Sequence, residues 1–341
     1  MTKTKIAING FGRIGRIFFR QVFDNPNIEI VAINDLGAIE NMTYLLKYDT
    51  VYGQYDKNVK NQKANLKNIL VVGEKEIRIL QEKDPSKLPW KEMDIDIVIE
   101  STGVFESREK AAPHLTAGAK RVIITAPAKD DTTPTSTPNV GEEFLKNDKI
   151  TSNASCTTNA ATPVMAVMSA NPGIKKAVLN TVHAYTASQG LVDGPDKKDD
   201  FRRARAAAQN IVPSTTGAAI AATKAIPALA GKFDGISLRV PVVCGSIMDF
   251  TFIAEKQTSV EEINDIFKKA AQDEQWQGIL AVTEEPLVSS DIIRNPYGSV
   301  VDLSMTKVID GDLVKILAWY DNEWGYVSML VKHVLAVSKL L

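Results

Sequence analysis

The chain has 341 residues, with 40 basic and 41 acidic side chains and a formal net charge of −1. This length favours two domains, and the charge balance gives no basic surface for nucleic acid or membrane. No apolar run is long enough to span a bilayer, and residues 1–5 lack the apolar segment of a signal peptide. Two cysteines are too few for a disulfide framework, which favours a cytoplasmic location.

The first residues predict a dinucleotide-binding fold. A short apolar strand at 5–8 runs into the glycine pattern G-x-G-x-x-G at 10–15, and a helix is predicted at 16–23. A second strand at 28–33 is followed by Asp35, 20 residues past the third glycine of the pattern. In this context the glycines let the backbone approach a pyrophosphate, which rests on the helix N-terminus. The alternative is a tight strand–helix turn without a ligand.

Asp35 also bears on the choice of cofactor. Its carboxylate would accept hydrogen bonds from the ribose hydroxyls of the adenosine half, and it would repel a 2′-phosphate. Leu36, Gly37 and Ala38 follow it, so no adjacent arginine could compensate. NAD is therefore predicted in preference to NADP.

The rest of the first half alternates apolar runs with helical stretches. This alternation predicts a parallel sheet covered on both faces, with ligands beyond the carboxyl ends of its strands. The predicted strands are 69–72, 76–80, 95–100 and 121–125.

A candidate nucleophile lies in the sequence SNASCTTNA at 152–160, where Cys156 precedes a helical pattern of small residues. At a helix N-terminus, free backbone N–H groups and the helix dipole favour an anion, so we expect a lowered thiol pKa. The alternative is a buried structural cysteine. His183, 27 residues later at the end of an apolar strand, would be the base of an activated Cys–His pair. The other histidines, His114 and His333, lie in predicted helices.

Several long motifs, in this order, resemble phosphorylating glyceraldehyde-3-phosphate dehydrogenase. They are INGFGRIGR at 8–16, SNASCTTN at 152–159, HAYTASQ at 183–189 and WYDNEWGY at 319–326. The resemblance implies an α/β fold, with a Rossmann-type doubly wound parallel sheet and a second α+β catalytic domain containing a large mixed sheet. It implies an NAD-binding domain at 1–155, onto which the helix at 322–341 packs back, a catalytic domain at 156–321, and a homotetramer.

The resemblance also implies roles for individual residues. The catalytic pair would be Cys156 and His183. Substrate and inorganic phosphate would be held by Ser155, Thr157, Thr186, Ser188, Thr216, Gly217 and Arg239. NAD would be held by Asn9, Gly10, Gly12, Arg13, Ile14, Asp35, Lys83, Thr102, Gly103, Thr125, Asn322 and Tyr326. The chemistry suits these roles, because hydroxyls and N–H groups opening a helix bind anions and arginine binds phosphate through paired donors. Lys83 could instead be a solvated surface charge. No metal is expected.

A long polar stretch at 189–209 resembles the family's S-loop, which lines the nicotinamide site and a subunit interface. It contains Arg202, Arg203 and Arg205. We interpret these as part of a helix with ion pairs, because Asp199 and Asp200 are adjacent, and not as a nucleic-acid patch.

The chain departs from the family pattern at four places. Ala160 replaces a second cysteine that the chemistry does not need, and Ser188 keeps the hydroxyl of the commoner threonine. Gly190 replaces a lysine that many members have, and this loss of positive charge would weaken the attraction for phosphate. Residues 132–138 replace a more apolar segment of the family and are predicted to form a loop.

The sequence thus predicts oxidation of glyceraldehyde 3-phosphate to 1,3-bisphosphoglycerate through a cysteine thioester, a step of glycolysis and gluconeogenesis. One alternative is an erythrose-4-phosphate dehydrogenase that uses water as acyl acceptor, against which the STTG loop at 214–217 argues. The other is a catalytically silent NAD-binding partner protein.

Overall fold

The computed structural model describes residues 3–64, 67–195 and 200–341. The chain divides into two compact units. The first comprises the described residues of Met1–Ser136, Glu142–Ala154 and Leu330–Leu341, and the second comprises those of Thr137–Gly141 and Ser155–Met329. The residues outside the described ranges are Met1, Thr2, Asn65, Leu66 and Asp196–Asp199. The last four of these belong to the stretch that resembles the S-loop.

The first unit alternates strands and helices along the chain. Its elements are β1 (Thr4–Asn9), α1 (Arg13–Val22), β2 (Ile28–Asn34), α2 (Ile39–Lys47), β3 (Val59–Ala64), β4 (Lys67–Val72), β5 (Lys75–Leu80), β6 (Ile97–Glu100), α3 (Arg108–Thr116), β7 (Arg121–Ile124) and β8 (Ile150–Ser152).

These strands form one sheet in the order β3-β4-β5-β2-β1-β6-β7-β8. From β5 to β8 every neighbouring pair is parallel, as predicted. At one edge the sheet departs from the predicted parallel arrangement, because β3 pairs antiparallel with β4 and β4 with β5. The reason is the two-residue connection at Gly73 (φ 56°) and Glu74, because only antiparallel strands can be joined by so short a turn. The strand β3 was not predicted.

The parallel strands are apolar because both faces of this sheet are covered. All four residues of β6 are buried, and Ile17, Phe18 and Phe19 of α1 are at most 1% exposed. Such burial explains why these strands appear in the sequence as continuous apolar runs without alternation. The glycine motif connects a strand of this sheet to α1.

The second unit contains most of the remaining elements. They are α4 (Cys156–Ala170), β9 (Ile174–Ala184), β10 (Val212–Thr215), α5 (Ala218–Ala225), β11 (Phe233–Val240), β12 (Ser246–Ala254), α6 (Val260–Gln272), β13 (Leu280–Thr283), β14 (Ser299–Ile309), β15 (Leu313–Tyr320) and α7 (Trp324–Ser338). The residues of α7 from Leu330 onward belong to the first unit.

The second sheet has the order β10-β11-β9-β12-β15-β14-β13 and mixes parallel and antiparallel pairs, as predicted. Along β12 buried and half-buried residues alternate, because α4, α5 and α6 pack on one face only. Met248, Phe250 and Phe252 point into that core.

Among the described residues, no helix is both long and apolar enough to cross a membrane. In the same ranges, no group of three or more His, Cys, Asp or Glu side chains could hold a metal ion.

Candidate active site

The glycine motif of the first unit forms a turn in which two glycines are required by close contacts. Gly10 has φ 94°, and a Cβ there would lie 2.7 Å from the carbonyl carbon of Ser101. A Cβ on Gly15 would lie 2.2 Å from the carbonyl oxygen of Gly10. A Cβ on Gly12, just before α1, would meet no atom within 4 Å, so the space in front of the helix N-terminus is open. This is the arrangement that a bound pyrophosphate needs.

A cavity of about 550 Å³ lies at the carboxyl ends of the strands in this unit. It is lined by Asn9, Gly10, Gly12, Asn34, Asp35, Leu36, Glu82, Lys83, Pro85, Ser101, Thr102, Val104 and Phe105. Several residues predicted to bind NAD are thus brought together here. The polar strand ends and the open helix N-terminus suit a dinucleotide, so these residues fit NAD.

Asp35 is held at the edge of this cavity by two backbone donors. Its carboxylate accepts hydrogen bonds from the N–H of Phe11 at 2.6 Å and of Gly37 at 2.8 Å. The N–H of Phe11 belongs to the glycine turn, so the carboxylate and the pyrophosphate loop are fixed together. Lys83 is exposed and lines the same cavity.

Two other predicted cofactor residues, Arg13 and Thr125, have side chains with partners within the protein. Arg13 pairs with Asp49 and lies over the ring of Tyr52. The hydroxyl of Thr125 donates to the carbonyl of Glu100 at 3.0 Å. Ile14 lies in the first turn of α1, and Gly103 adopts φ 70° after β6.

In the second unit Cys156 is the first residue of α4, and His183 is the penultimate residue of β9, as predicted. Ser155 caps the helix, because its side chain accepts the N–H of Thr158 at 3.1 Å. The Cys156 Sγ lies 3.3 Å from the His183 Nε2. The two side chains are therefore within hydrogen-bonding distance.

Strand pairing brings Arg239 to the same place. The parallel register of β9 and β11 sets Arg239 opposite His183. Its Nη1 lies 2.8 Å from the His183 Nδ1 and 3.2 Å from the carbonyl oxygen of Ala184. The Arg239 Nε is buried and makes no hydrogen bond within the described part of the chain. An unpartnered guanidinium N–H suits a site for an anionic ligand.

The imidazole of His183 has two competing neighbours at Nδ1. The carbonyl oxygen of Ala184 lies at 2.6 Å and can only accept, whereas Arg239 can only donate. The shorter contact places the proton on Nδ1, and Arg239 then donates to the Ala184 carbonyl. This tautomer leaves a lone pair on Nε2 that faces the thiol, as a general base requires.

Burial sets the charge states of this pair. It raises the pKa of the Cys156 thiol, although the Arg239 guanidinium and the Thr157 N–H act in the opposite direction. The lowered thiol pKa expected from the helix terminus was therefore wrong for this structure, because desolvation outweighs the helix. Burial and Arg239 lower the pKa of His183 to about 3. Burial therefore favours the neutral form of both groups.

Tyr320 connects α4, which carries Cys156, to β9, which carries His183. Its hydroxyl lies 2.9 Å from the Thr157 Oγ1 on α4 and 2.7 Å from the Thr181 Oγ1 on β9. Its ring packs edge-on against His183, with 6.0 Å between the centroids. The side chain of Thr157 is consequently directed into the protein, so an anion at the helix start would meet its backbone N–H.

The remaining predicted anion residues are spread over two loops. The hydroxyls of Thr186 and Ser188 lie 2.9 Å apart. Thr216 accepts the N–H of Ala218 at the start of α5, and Gly217 precedes that helix. In the described ranges no hydrogen bond joins Thr216 or Gly217 to Cys156 or His183.

Arg203 is a site residue that sequence reasoning missed. Its Nε and Nη2 donate to the Ser214 Oγ at 3.0 and 2.6 Å, and its Nη1 donates to the Ser188 Oγ at 3.4 Å. Its charge helps to lower the pKa of both His183 and Arg239. The predicted ion pairing is confirmed for Asp200, whose carboxylate lies 3.3 Å from the Arg203 Nε, whereas Asp199 lies outside the described residues. The predicted helix was wrong: residues 201–209 form turns, the first of which is held by the Asp200 side chain, since it accepts the N–H of Arg202 and Arg203. The sequence signal that could have identified Arg203 as a site residue was its position in the polar stretch 189–209, which directly follows Ser188.

Asn322 and Tyr326 are both buried. The Asn322 Oδ1 accepts hydrogen bonds from the Gly245 N–H at 3.1 Å and the Ser246 hydroxyl at 2.9 Å. Ser246 in turn accepts the N–H of Ala184 at 3.1 Å. This chain of contacts ties Asn322 to the strand end that carries His183. Burial raises the pKa of Tyr326.

Comparison with known proteins gives one consistent family. The sequence model described as "Glyceraldehyde 3-phosphate dehydrogenase, NAD binding domain" matches residues 4–108, and the corresponding C-terminal domain matches residues 155–322. The chain is 47% identical to glyceraldehyde-3-phosphate dehydrogenase of Streptomyces coelicolor over 96% of both chains. It is 45% identical to glyceraldehyde-3-phosphate dehydrogenase 2 of Bacillus subtilis, over 99% of this chain and 98% of the relative. It is 48% identical to the enzyme of Geobacillus stearothermophilus over 96% of both chains. With both domains matched and the Cys–His pair assembled, this chain belongs to the glyceraldehyde-3-phosphate dehydrogenase family.

Proposed function

We propose that this chain is an NAD-dependent, phosphorylating dehydrogenase of glyceraldehyde 3-phosphate. One observation carries the proposal most directly: the Cys156 Sγ lies 3.3 Å from the His183 Nε2, with the Arg239 Nη1 2.8 Å from the other ring nitrogen. A nucleophile, a base and a cation for a phosphate group are thus assembled on α4, β9 and β11.

The reaction starts from a neutral thiol and a neutral imidazole, and each proton that His183 removes is returned in a later step. As the Cys156 sulfur attacks the aldehyde carbon, the His183 Nε2 takes the thiol proton. The imidazolium then returns that proton to the carbonyl oxygen, giving a thiohemiacetal on Cys156. His183, neutral again, removes the hydroxyl proton during oxidation to the thioester. When bound, NAD⁺ supplies the hydride acceptor for this oxidation. Phosphate attack on the thioester carbon then breaks the bond to sulfur and releases 1,3-bisphosphoglycerate. The departing Cys156 thiolate takes back the proton from the His183 Nε2, and the proton of the attacking hydrogen phosphate passes to solvent.

We assign the residues as follows. Asn9, Gly10, Gly12, Arg13, Ile14, Asp35, Lys83, Thr102, Gly103, Thr125, Asn322 and Tyr326 hold NAD. Arg239 with Thr186 and Ser188 holds the substrate phosphate, and Ser155, Thr157, Thr216 and Gly217 hold the attacking phosphate. The unpartnered Arg239 Nε and the two helix starts support these assignments. We also propose a domain division at 155/156, with residues 322–341 assigned to the NAD-binding domain, and a role in the cytoplasm in glycolysis and gluconeogenesis.

We further propose a homotetramer. On the face of the second sheet that α4, α5 and α6 do not cover, Val178 and Ile236 are each 54% exposed. A wide groove of about 790 Å³ on this unit is lined by residues of β9, β11 and β12, among them Val178 and Thr251. Exposed apolar sheet faces of this kind support burial against another copy. Light scattering at micromolar concentration should give four times the chain mass, and a monomer mass would contradict the proposal.

The activity is tested by NADH formation with glyceraldehyde 3-phosphate and with erythrose 4-phosphate, each with and without inorganic phosphate. We expect the first aldehyde to be used much faster and its steady-state rate to depend on phosphate. Cys156→Ser should abolish oxidation while leaving NAD binding intact, because a hydroxyl provides little anion at neutral pH. Much faster oxidation of erythrose 4-phosphate would contradict the proposed substrate, and no oxidation by the wild type would contradict the activity.

A further inference from the structure

A chain of buried side chains that the proposed chemistry does not use lies in the first unit. Trp90 and His114 are 0% exposed and Glu100, at the end of β6, is 2% exposed. The Trp90 Nε1 donates to the His114 Nδ1 at 3.0 Å, and the His114 Nε2 lies 3.2 Å from the Glu100 Oε2. Two titratable groups are thus packed together without solvent.

The proton of His114 has only one possible place. An indole N–H can donate but not accept, so the His114 Nδ1 must be the acceptor for Trp90. An imidazole with a lone pair on Nδ1 carries its proton on Nε2. That proton faces Glu100. His114 is therefore a neutral donor held in a single tautomer.

The amide groups beside it are fixed in the same way. Asn34 exchanges two hydrogen bonds with the backbone of Glu82, each 2.9 Å long, which sets the direction of its amide. The Asn34 Nδ2 then donates to the Asn9 Oδ1 at 2.7 Å. Asn9 must therefore turn its Nδ2 towards the Glu100 Oε2, at 2.6 Å.

Glu100 receives donors on both oxygens. Asn9 and His114 contact Oε2, while the backbone N–H of Thr102 donates to Oε1 at 2.9 Å and the Thr102 hydroxyl donates to the same oxygen. A carboxylate with four donors binds together the ends of β1 and β6, and Asn34 extends the network to β2. These strand ends line the 550 Å³ cavity.

We propose that Trp90, His114 and Glu100 are positioning residues for the cofactor. They hold Asn9 and the turn at Thr102 in the arrangement that NAD binds, so the cavity is organised before the cofactor arrives. This inference rests on the proposed cofactor site. Since none of the three belongs to the Cys156 site, their loss should weaken NAD binding and leave the chemical step unchanged.

The test replaces His114 with leucine, which cannot donate to Glu100, and with glutamine, whose amide can. For His114→Leu we expect the Kd of NAD to rise about tenfold or more, because a buried carboxylate loses a donor. The KM for NAD should rise similarly, while kcat at saturating NAD stays within about twofold. His114→Gln should recover most of the affinity. His333→Leu is the matched control, because His333 is equally buried in the same unit but contacts Thr151 and Asn153 away from the cavity.

NAD binding is measured by calorimetry, and thermal unfolding is measured on the same proteins. Lowered stability of folded His114→Leu with unchanged NAD affinity, or an equal loss of affinity in His333→Leu, would overturn the proposal. Failure of wild-type protein to bind NAD would instead overturn the proposed cofactor site. A second measurement uses only the wild-type protein, so it does not depend on the folding of a variant. The chain has three histidines, so ¹⁵N spectra of histidine-labelled protein contain the signals of only three imidazole rings. His114 should show a protonated Nε2 and an unprotonated Nδ1, and a protonated Nδ1 would contradict the network.

Discussion

The hydroxyl of Tyr320 is expected to set the spacing of the catalytic pair, and Tyr320→Phe removes it while keeping the ring. Tyr320 is 1% exposed, and its hydroxyl bridges Thr157, next to Cys156, and Thr181, two residues before His183. A buried hydrogen bond contributes about 1 kcal/mol, so loss of both should lower the free energy of unfolding by about 2 kcal/mol. Thr181 keeps a contact of 3.3 Å with the carbonyl of Ile247, which limits the loss.

The same change should slow the chemistry. Without the bridge, the start of α4 is less firmly held against β9, and the 3.3 Å separation of Sγ and Nε2 is less well maintained. A misplacement of about 1 Å can lower a reaction rate about 10²-fold. We therefore expect the less firmly held Cys156–His183 pair to react roughly tenfold more slowly. The affinity for NAD should not change, since the cavity of the first unit does not include Tyr320.

The assay is the rate of NADH formation in the first turnover, with urea unfolding measured in parallel. Tyr55→Phe is the control, because the buried Tyr55 hydroxyl makes no hydrogen bond among the described residues. It should leave the first-turnover rate unchanged. If Tyr320→Phe were less stable yet reacted at the wild-type rate, the hydroxyl would have a structural role only, and the positioning argument would be refuted.

Three further predictions concern other parts of the molecule. His183→Asn should slow oxidation by about 10²–10⁴-fold, measured as kcat/KM, while iodoacetamide still labels the partly exposed Cys156 before the buried Cys244. Asp35→Gly should weaken NAD binding and lower the ratio of kcat/KM with NAD to kcat/KM with NADP by about one to two decades. Equal use of both cofactors by the wild type would refute the contact between Asp35 and the ribose. Burial lowers the pKa of His333 to about 4, so between pH 4 and 6.5 the unfolded chain binds a proton that the native chain does not. Stability should rise with pH across this window by about 1.4 kcal/mol per unit, and His333→Gln should remove that contribution from urea unfolding measured against pH.

Local sequence was sufficient wherever a single element determines the structure. The glycine turn before α1, Cys156 at the start of α4 and His183 near the end of β9 were all predictable, because each depends on residues close in the chain. Asp35 followed from its spacing to the glycines alone. Motif resemblance added Arg239 and the STTG loop, which have no local signal strong enough to be recognised without it.

Tertiary structure decided what depends on residues far apart in sequence. The register of β9 with β11 places Arg239 against His183, 56 residues away, and the folded 189–209 stretch adds Arg203. The thiol pKa was mispredicted because the helix terminus is a local effect, whereas desolvation comes from the whole surrounding core. Glu100 appeared in the sequence only as the last residue of an apolar strand. Its four donors come from β1, α3 and its own turn, so only the fold could show that a buried carboxylate organises the cofactor cavity.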